Sequence, residues 1–550
     1  MDQPTAHEHS TKTEAPSVEV TSGSVQYEAS RVRRFALAVT AVFFVIALIG
    51  ILSHEMWRDE LHCWLIARDS HSFAQLYQNR SYDGHPILWY ALLYTLTWFT
   101  VNPVAMQILL LVLATASVYL FNRFSNFSVP QRVLFSFGYY SIYEYSMIAR
   151  SYSLGFFLVI LFCSLYGNRR RNAAWLFLVL ILLANTSAFG LGLSVCLAGM
   201  LSFDWFSNRK KAEWKDVSFT FVSCWFAIFL LGAAFSVMQT LPKKDNTLLQ
   251  PRLSLLADHG RMIVVLSKIS EAYLLIPEIR SLPHWVSSQS DILVHNYIKL
   301  DILISIVLVT AATAILARRP LALLLYWTGT VVVICILGLT LTLGPRHIGH
   351  LVMILVAALW LADYFSERDF RSSVLIRLSQ WGRRIQNGFV VLMFGLQTIA
   401  GVAIYVTDLE KPFSASKAAA NFIKERGLSM LPIVGTPDWV AEDFAALLNK
   451  QIYYPERNEF GSFIIWDGKR KPTPTDQEIV QGIDTVLGQN QRQALLILNY
   501  RADQRITEGR TVLDFNTINP TIKLEPVAKF GNAMMFDEVY YIYLARRVKS

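Results

Sequence analysis

Long apolar runs, separated by short polar and often basic connections, fill most of the chain up to about residue 406. A helix needs about 20 predominantly apolar residues to cross the hydrocarbon core of a bilayer, and these runs approach that length. We predict eleven membrane-spanning helices, at residues 34–53, 104–121, 130–147, 151–167, 173–187, 190–205, 216–237, 299–317, 320–342, 346–365 and 387–406. The expected fold class is therefore an α-helical polytopic membrane protein.

Two segments of the N-terminal part do not fit a spanning helix. Residues 1–30 are rich in Ser, Thr and Glu and have no small-residue cleavage site after an apolar core, which predicts a disordered cytoplasmic tail. The segment Pro86–Thr100 is short and begins with Pro, so we predict a helix that lies on the outer membrane surface. If it spanned instead, most basic connections after it would change sides.

The composition becomes that of a soluble protein from Lys411 onward. Short apolar strands alternate with helical patterns there, which predicts a C-terminal α/β domain over residues 407–550. The predicted elements are helices at 418–426, 439–449 and 476–488 and strands at 431–434 and 494–498. This part has no GxGxxG motif and no P-loop, and its acidic residues are scattered as on a solvated surface. We therefore expect no catalytic role for it.

The distribution of basic residues along the chain indicates its membrane topology. The chain is 53% hydrophobic and carries a formal net charge of +9, and in a membrane protein excess Lys and Arg mark cytoplasmic loops rather than nucleic-acid binding. With eleven spans the basic connections all fall on the cytoplasmic side, at residues 31–34, 123–132, 169–171, 209–211, 318–319 and 366–385. The first outer loop, 54–103, the long loop 238–298 and the C-terminal domain are then expected outside the cytoplasmic (inner) membrane. Residues 31–406 form the membrane domain.

The five cysteines argue against a disulfide framework. Four of them lie within apolar runs, Cys63 stands alone in a loop, and no CxxC spacing exists that would indicate a structural zinc site.

Asp59 and Glu60 directly follow the first span. Adjacent residues on a helix point about 100° apart, so the two carboxylates are not expected to share one task. One could deprotonate an acceptor hydroxyl while the other binds Arg58, a metal ion or a sugar hydroxyl. The structural alternative is an acidic pair that caps the helix beside the membrane.

A second cluster, Asp83-Gly84-His85-Pro86, has the composition of a turn followed by a helix start. Turn chemistry accounts for Asp83, Gly84 and Pro86. His85 is the residue it does not explain, so both a structural and a functional role are open for His85.

Two further clusters are expected at the same outer face. Glu144 and Arg150, followed by Tyr152, could form a structural ion pair, or Arg150 could bind a phosphate with its planar fork. Arg346, His347 and His350 lie beside a helix start, which is a natural anion site, although interfacial anchoring explains them comparably well. Their expected placement beside Asp59 favours anion binding.

These residues together resemble the GT-C glycosyltransferase superfamily, in particular its family 39-like branch of bacterial relatives of protein O-mannosyltransferases and of the lipid A aminoarabinose transferase. The resemblance covers about residues 34–406, and Arg58-Asp59-Glu60 and Asp83–Pro86 carry most of it. Each motif is short, so order and spacing give the specificity. His85 stands where many relatives have a second Pro, so the resemblance supports a role for Asp83 more strongly than one for His85.

The resemblance implies an inverting transfer of a sugar from a polyprenyl-phosphate donor at the outer face. By it, Asp59 would be the general base or acceptor-orienting carboxylate, with Glu60 its neighbour in the site. Arg150, or Arg346 with His347, would hold the donor phosphate and stabilise the leaving group. The substrate-binding set is Arg58, Asp83, His85, Glu144, Arg150, Tyr152, Arg346, His347 and His350. No cofactor is required, and a divalent metal ion on Asp59 is left open.

Two other classes of function compete with this hypothesis. A transporter or flippase of a polyprenyl-linked glycan usually carries its ionisable groups at mid-membrane on broken helices, whereas the candidates here lie at one face. A scaffold or sensor would leave Asp59 and Glu60 without a purpose. The expected partners are the lipid-linked donor, membrane lipid and a glycan, lipid or protein acceptor, without nucleic acid; no residue selects the sugar or the acceptor.

Overall fold

The structure is a computed structural model, and it describes residues 22–249, 253–276, 291–340, 343–488, 492–502, 519 and 521–548. Its helices are α1 Ser22–Ser53, α2 Arg58–Arg68, α3 Phe73–Asn79, α4 Ile87–Thr97, α5 Val104–Phe124, α6 Val129–Ser136, α7 Ser151–Tyr166, α8 Arg169–Ala184, α9 Ala188–Asn208, α10 Phe219–Thr240, α11 His259–Tyr273, α12 Asp291–Leu316, α13 Pro320–Leu339, α14 Pro345–Ala362, α15 Ser373–Glu410, α16 Ser416–Glu425, α17 Asp438–Leu447 and α18 Asp476–Leu487. Its strands are β1 Ile433–Thr436, β2 Ile452–Tyr454, β3 Glu459–Gly461, β4 Gln493–Leu498, β5 Ile522–Phe530 and β6 Tyr540–Arg547.

Eight helices in the described part of the chain are long and apolar enough to cross a membrane: α1, α5, α9, α10, α12, α13, α14 and α15. The other three predicted spans take a different form. Helices α7 and α8 have 16 residues each, and 130–147 is divided between α6 and a π-helix, Tyr140–Glu144. The contacts of α7 mark two ends of the bundle: Arg150, just before α7, lies 3.9 Å from Asp59, and Tyr166, the last residue of α7, packs against Tyr364 after α14.

The loops gather at these two ends. At one, called the basic end here, Arg319 pairs with Glu367 at 3.1 Å and Arg169 pairs with Asp204 at 3.0 Å. At the other, called the domain end, α2 and α4 pack together and α17 of the C-terminal domain packs on α2. The surface helix expected at Pro86–Thr100 is α4, with 11 residues.

Two predictions about the membrane part need correction. The expected tail 1–30 is helical in its last part, because α1 begins at Ser22; residues 1–21 lie outside the described residues. The outer loop predicted over 238–298 contains α11, which packs against α12 and α14. Its buried face includes Val265, Ile269 and Ala272, and this periodicity places it inside the bundle rather than on a loop.

Residues after α15 form the expected α/β domain. Its six-stranded sheet has the order β3-β2-β1-β4-β6-β5, in which β1 is parallel to β2 and β4 and the outer pairs are antiparallel. The parallel centre is the most buried part, as in β4, where five of six residues are buried. The predicted helices correspond to α16, α17 and α18 and the predicted strands to β1 and β4, with ends that agree within about two residues. The strands β2, β3, β5 and β6 were not predicted. The fold class predicted from the sequence, a polytopic α-helical membrane protein with a soluble C-terminal α/β domain, is confirmed.

Candidate active site

Glu60 fixes the start of α2. Its carboxylate accepts a hydrogen bond from the Trp57 N–H at 3.3 Å, which is one half of a capping box, and another from the Ala149 N–H at 2.6 Å. The His54 ring lies 3.2 Å from the same carboxylate. Glu60 is fully buried and both of its oxygens are occupied: Oε1 binds the turn before α7, and Oε2 binds Trp57 and His54. The capping role considered for the acidic pair is therefore present at Glu60.

His54 extends this anchor to the end of α15. One ring nitrogen lies 2.7 Å from Asp408 and the other faces Glu60. Burial disfavours the imidazolium, but the two carboxylates outweigh it and raise the pKa of His54 to about 10. A protonated His54 between two carboxylates ties α1, α2 and α15 together.

Asp59 points away from this anchor, as expected for adjacent helix positions. Its Oδ2 lies 3.2 Å from Nη2 of Arg346 and 3.9 Å from Nη1 of Arg150. The side chain keeps 27% of its surface exposed, unlike Glu60. Burial acts to raise the pKa of Asp59, but Arg150 and Arg346 outweigh it and lower the pKa to about 2. Asp59 is thus an ionised, reachable carboxylate held by two guanidinium groups.

Arg150 stands at the N-cap of α7, and Arg346 is the second residue of α14. Arg150 also donates to the Asp59 backbone carbonyl, and the Arg346 guanidinium lies 5.3 Å from the centre of the Trp57 ring. Among the described residues, Nε of each arginine is buried and lacks a hydrogen-bond partner. Both guanidinium groups lie at helix starts and keep unused donors, and this is chemistry that suits the binding of an anion.

The approach of α14 to the turn before α7 depends on Gly349. A Cβ at Gly349 would lie 2.3 Å from the Tyr145 hydroxyl and 2.6 Å from the Tyr140 ring. The Tyr145 hydroxyl donates to the Arg346 carbonyl at 3.1 Å. The π-helix and the turn after it therefore contact the start of α14, where Arg346 lies. A π-helix is often found at functional sites.

An aromatic wall adjoins the arginines, formed by Tyr152, Phe189, His347 and His350. The Tyr152 hydroxyl lies 3.1 Å from Nε2 of His347. The rings of His347 and His350 stack on Phe189 with centroids 5.5 Å and 4.6 Å away. The His350 Nδ1 faces the His347 carbonyl at 2.9 Å. All four side chains of the wall are buried.

His85 lies between Arg150 and this wall. Its Nε2 is 3.4 Å from Nη2 of Arg150, and its ring packs edge-on against the Tyr152 ring at 5.7 Å. Burial, helped by Arg150 and opposed by Asp83, lowers the pKa of His85 to about 4. His85 is therefore a neutral imidazole near pH 7, able to exchange hydrogen bonds with a hydroxyl group.

Asp83 belongs to a chain of contacts that reaches the C-terminal domain. It accepts from the Tyr90 hydroxyl and lies 3.8 Å from Nε2 of His62, whose Nδ1 is 2.9 Å from Glu442 in α17. Burial acts against the imidazolium, but Glu442 and Asp83 raise the pKa of His62 to about 9. The view that the acidic residues of this domain are only a solvated surface is wrong for Glu442, which is buried.

Two predicted site residues lie in other contacts. Arg58 pairs with Asp537 at 2.9 Å and Glu538 at 3.4 Å, so its guanidinium binds the C-terminal domain. Glu144 accepts from the Tyr139 hydroxyl at 2.6 Å, and Arg150 pairs with Asp59 instead of with Glu144. Their roles in substrate binding stay predictions, as do those of the other candidates.

Sequence reasoning missed His62 and Glu442. His62 stands three residues after Asp59, so both lie on neighbouring positions of one helix surface, and this spacing was a usable signal. Glu442 had no such signal, because only the tertiary structure brings it to α2. Among the described residues no group of three or more His, Cys, Asp or Glu side chains could hold a metal ion.

A multi-pass membrane protein thus carries a cluster of ionised and aromatic side chains where its helical bundle meets a soluble α/β domain. No family model matches the chain, and no curated protein matches its sequence. A solved structure with a similar chain course is the crystal structure of ArnT from Cupriavidus metallidurans bound to undecaprenyl phosphate. The similarity has a TM-score of 0.38 and 10% sequence identity over 92% of this chain and 97% of that chain.

Proposed function

We propose that this protein is a membrane glycosyltransferase that moves a sugar, a hexose or a pentose, from a polyprenyl-phosphate donor to an acceptor hydroxyl, with inversion. The observation that carries the proposal is the contact of Asp59 with both Arg150 and Arg346. Glycosyl transfer from a phosphate needs a carboxylate for the attacking hydroxyl and positive charge for the leaving phosphate. This site supplies both groups within 4 Å of each other.

In the proposed reaction the acceptor oxygen forms a bond to the anomeric carbon of the sugar. The bond from this carbon to the phosphate oxygen breaks, and its electron pair stays on the phosphate. The hydroxyl proton passes to Asp59 or, if Asp59 only orients the hydroxyl, to water. Arg150 and Arg346 stabilise the charge that develops on the phosphate.

The low pKa of Asp59 fits this scheme if the arginines change partners. When the donor binds, its phosphate oxygens would replace the Asp59 carboxylate as the partners of the two guanidinium groups. Asp59 would then lose its two closest cations, and its pKa would rise toward the ordinary range. The carboxylate would become a better proton acceptor only when the donor is in place.

The remaining candidates fit supporting roles. We assign His85, Tyr152, His347 and His350 to the sugar, because neutral imidazoles and aromatic faces suit an uncharged ring with hydroxyl groups. Asp83 would be held for the acceptor side by Tyr90 and His62. We assign Glu60 the bracing of α2 rather than a chemical step, because its oxygens are occupied. The two arginines also disfavour a divalent cation on Asp59, since like charges repel at this distance.

The proposed site of reaction is the outer face of the cytoplasmic membrane. Arg169, Arg170, Arg318 and Arg319 gather at the basic end, which by the charge rule is cytoplasmic. A reporter fused after Lys411 should therefore be active only if it works outside the cytoplasm. A fusion after Arg171, at the basic end, is the matched control and should give the opposite result. Cytoplasmic activity of the Lys411 fusion would contradict the orientation.

The activity itself can be measured on purified protein. The donor would be an undecaprenyl-phosphate conjugate of a labelled hexose or pentose, and a membrane extract would supply acceptors. We expect the label to leave the lipid and undecaprenyl phosphate to accumulate in a protein-dependent manner. In proteoliposomes, movement of the conjugate across the bilayer with its sugar bond intact would instead favour the flippase alternative and contradict the transferase.

A further inference from the structure

A groove of about 410 Å³ lies at the domain end, on the side of α2 where His54 rather than Asp59 is found. It is formed by the end of α1, the start of α5, α16 and α17. Its apolar members include Leu52, Val104 and Leu447. A largely apolar cavity of this size with a few polar groups is typical of a ligand site.

One wall of the groove is basic and polar. Lys417, Asn421 and Lys424 are exposed residues of α16 that line it, and their spacing of four and three residues puts them on one face of that helix. Glu55 lies close enough to Lys417 to interact with it, and burial, opposed by Lys417, raises the pKa of the Glu55 carboxyl. The positive charge of His54 is balanced by Asp408 and Glu60. With Lys417 and Lys424, this wall therefore carries a net positive charge.

The groove also borders the surface that faces lipid. Leu52 at the end of α1 is 66% exposed, and Val101 and Val104 near the start of α5 are 51% and 38% exposed. Trp98 and Phe99, just before that start, are exposed as well. Exposed aromatic and aliphatic side chains at the ends of spanning helices lie at the membrane interface. An occupant would thus have one apolar part toward the bilayer and one anionic part toward α16.

We propose that this groove binds an anionic phospholipid of the surrounding bilayer, with the headgroup phosphate between Lys417 and Lys424 and an acyl chain along Leu52 and Val104. The charge of α16 selects the anionic headgroup, and the long Lys stems can lie over the apolar floor. The bound lipid would fasten the C-terminal domain to the membrane surface. This site is separate from Asp59, and its occupancy does not depend on glycosyl transfer.

The test counts lipids that stay bound to the full-length protein. Protein from nanodiscs of phosphatidylcholine mixed with phosphatidylglycerol would be released and examined by native mass spectrometry. We expect retained phosphatidylglycerol with the unaltered chain and about tenfold less with Lys417→Gln/Lys424→Gln. The control Lys469→Gln/Lys523→Gln removes two exposed lysines of the same domain outside the groove and should retain the lipid.

A photoactivatable phosphatidylglycerol locates the site, because its crosslinks should map to α16 or to the end of α1. Equal retention by the unaltered and Lys417→Gln/Lys424→Gln proteins would overturn the proposal. Retention of phosphatidylcholine to the same extent would overturn it too. Displacement of the lipid by undecaprenyl phosphate, but not by inorganic phosphate, would assign the groove to a polyprenyl lipid instead and likewise overturn it.

Discussion

Replacing Asp59 by Asn should reduce the turnover of the proposed transfer by about 10²- to 10⁴-fold, the usual worth of a positioned proton transfer. Asn keeps the size of the side chain and most of its hydrogen bonding but removes the charge and the basicity. The side chain is partly exposed and takes no part in the Glu60 anchor, so the protein should still fold and insert. The measurement is single-turnover release of undecaprenyl phosphate by purified Asp59→Asn and unaltered protein.

Glu60→Gln is the matched control, since it makes the same chemical change one residue away. Here the loss should fall on stability, because Gln leaves the protonated His54 beside one carboxylate instead of two. We expect a lower thermal midpoint and, in the fraction that stays folded, a turnover closer to normal. Near-normal turnover of folded Asp59→Asn protein would remove Asp59 from the reaction; if both variants stay active, the site lies elsewhere.

The sequence predicted the long spans well because hydropathy over 18 to 20 residues is a strong signal. It failed at 130–147, where composition alone suggests one helix. There α6 ends at Ser136, and a π-helix with i→i+5 bonding follows at Tyr140–Glu144. A hydropathy window cannot detect such a change of hydrogen-bond pattern. It also missed α11, whose apolar face is interrupted by Arg261 and Lys268 and so reads as a loop with charges.

The site was partly predictable for a topological reason. Counting spans placed Asp59, Arg150 and Arg346 at one face, although 91 and 287 residues separate Asp59 from the two arginines, and the structure brings their charged groups within 4 Å. The sequence could not show that Glu60 caps α2 while Asp59 stays accessible. This difference depends on the contacts of Glu60 with His54 and with the Ala149 N–H. Glu442 lay beyond sequence reasoning, since a contact across 380 residues has no local pattern.

Donor binding is the second large effect that we expect, and it tests the anion site. Arg346→Ala should weaken binding of undecaprenyl phosphate by about 10- to 100-fold, the worth of a charge-assisted hydrogen bond of about 1.5–3 kcal/mol. Arg346→Lys should lose less, because Lys keeps the charge but not the planar fork. Calorimetric titration with undecaprenyl phosphate measures both. Arg318→Ala, at the basic end, is the control and should bind normally.

Arg346→Ala and Arg346→Lys should also differ in the pH dependence of their activity, and a loss of packing would not produce this difference. Arg346 helps to hold the pKa of Asp59 at about 2, so its removal should raise that pKa. Asp59 must be ionised to act, so activity falls as the pH drops through its pKa. The pH profile of kcat/KM reports the pKa values of the free enzyme. Its acid limb should therefore move to higher pH in Arg346→Ala. In Arg346→Lys it should stay near its original position, because a cation still faces the carboxylate. An acid limb that is unchanged in Arg346→Ala, together with normal lipid binding, would mean that the contact between Arg346 and Asp59 only holds α14 to α2.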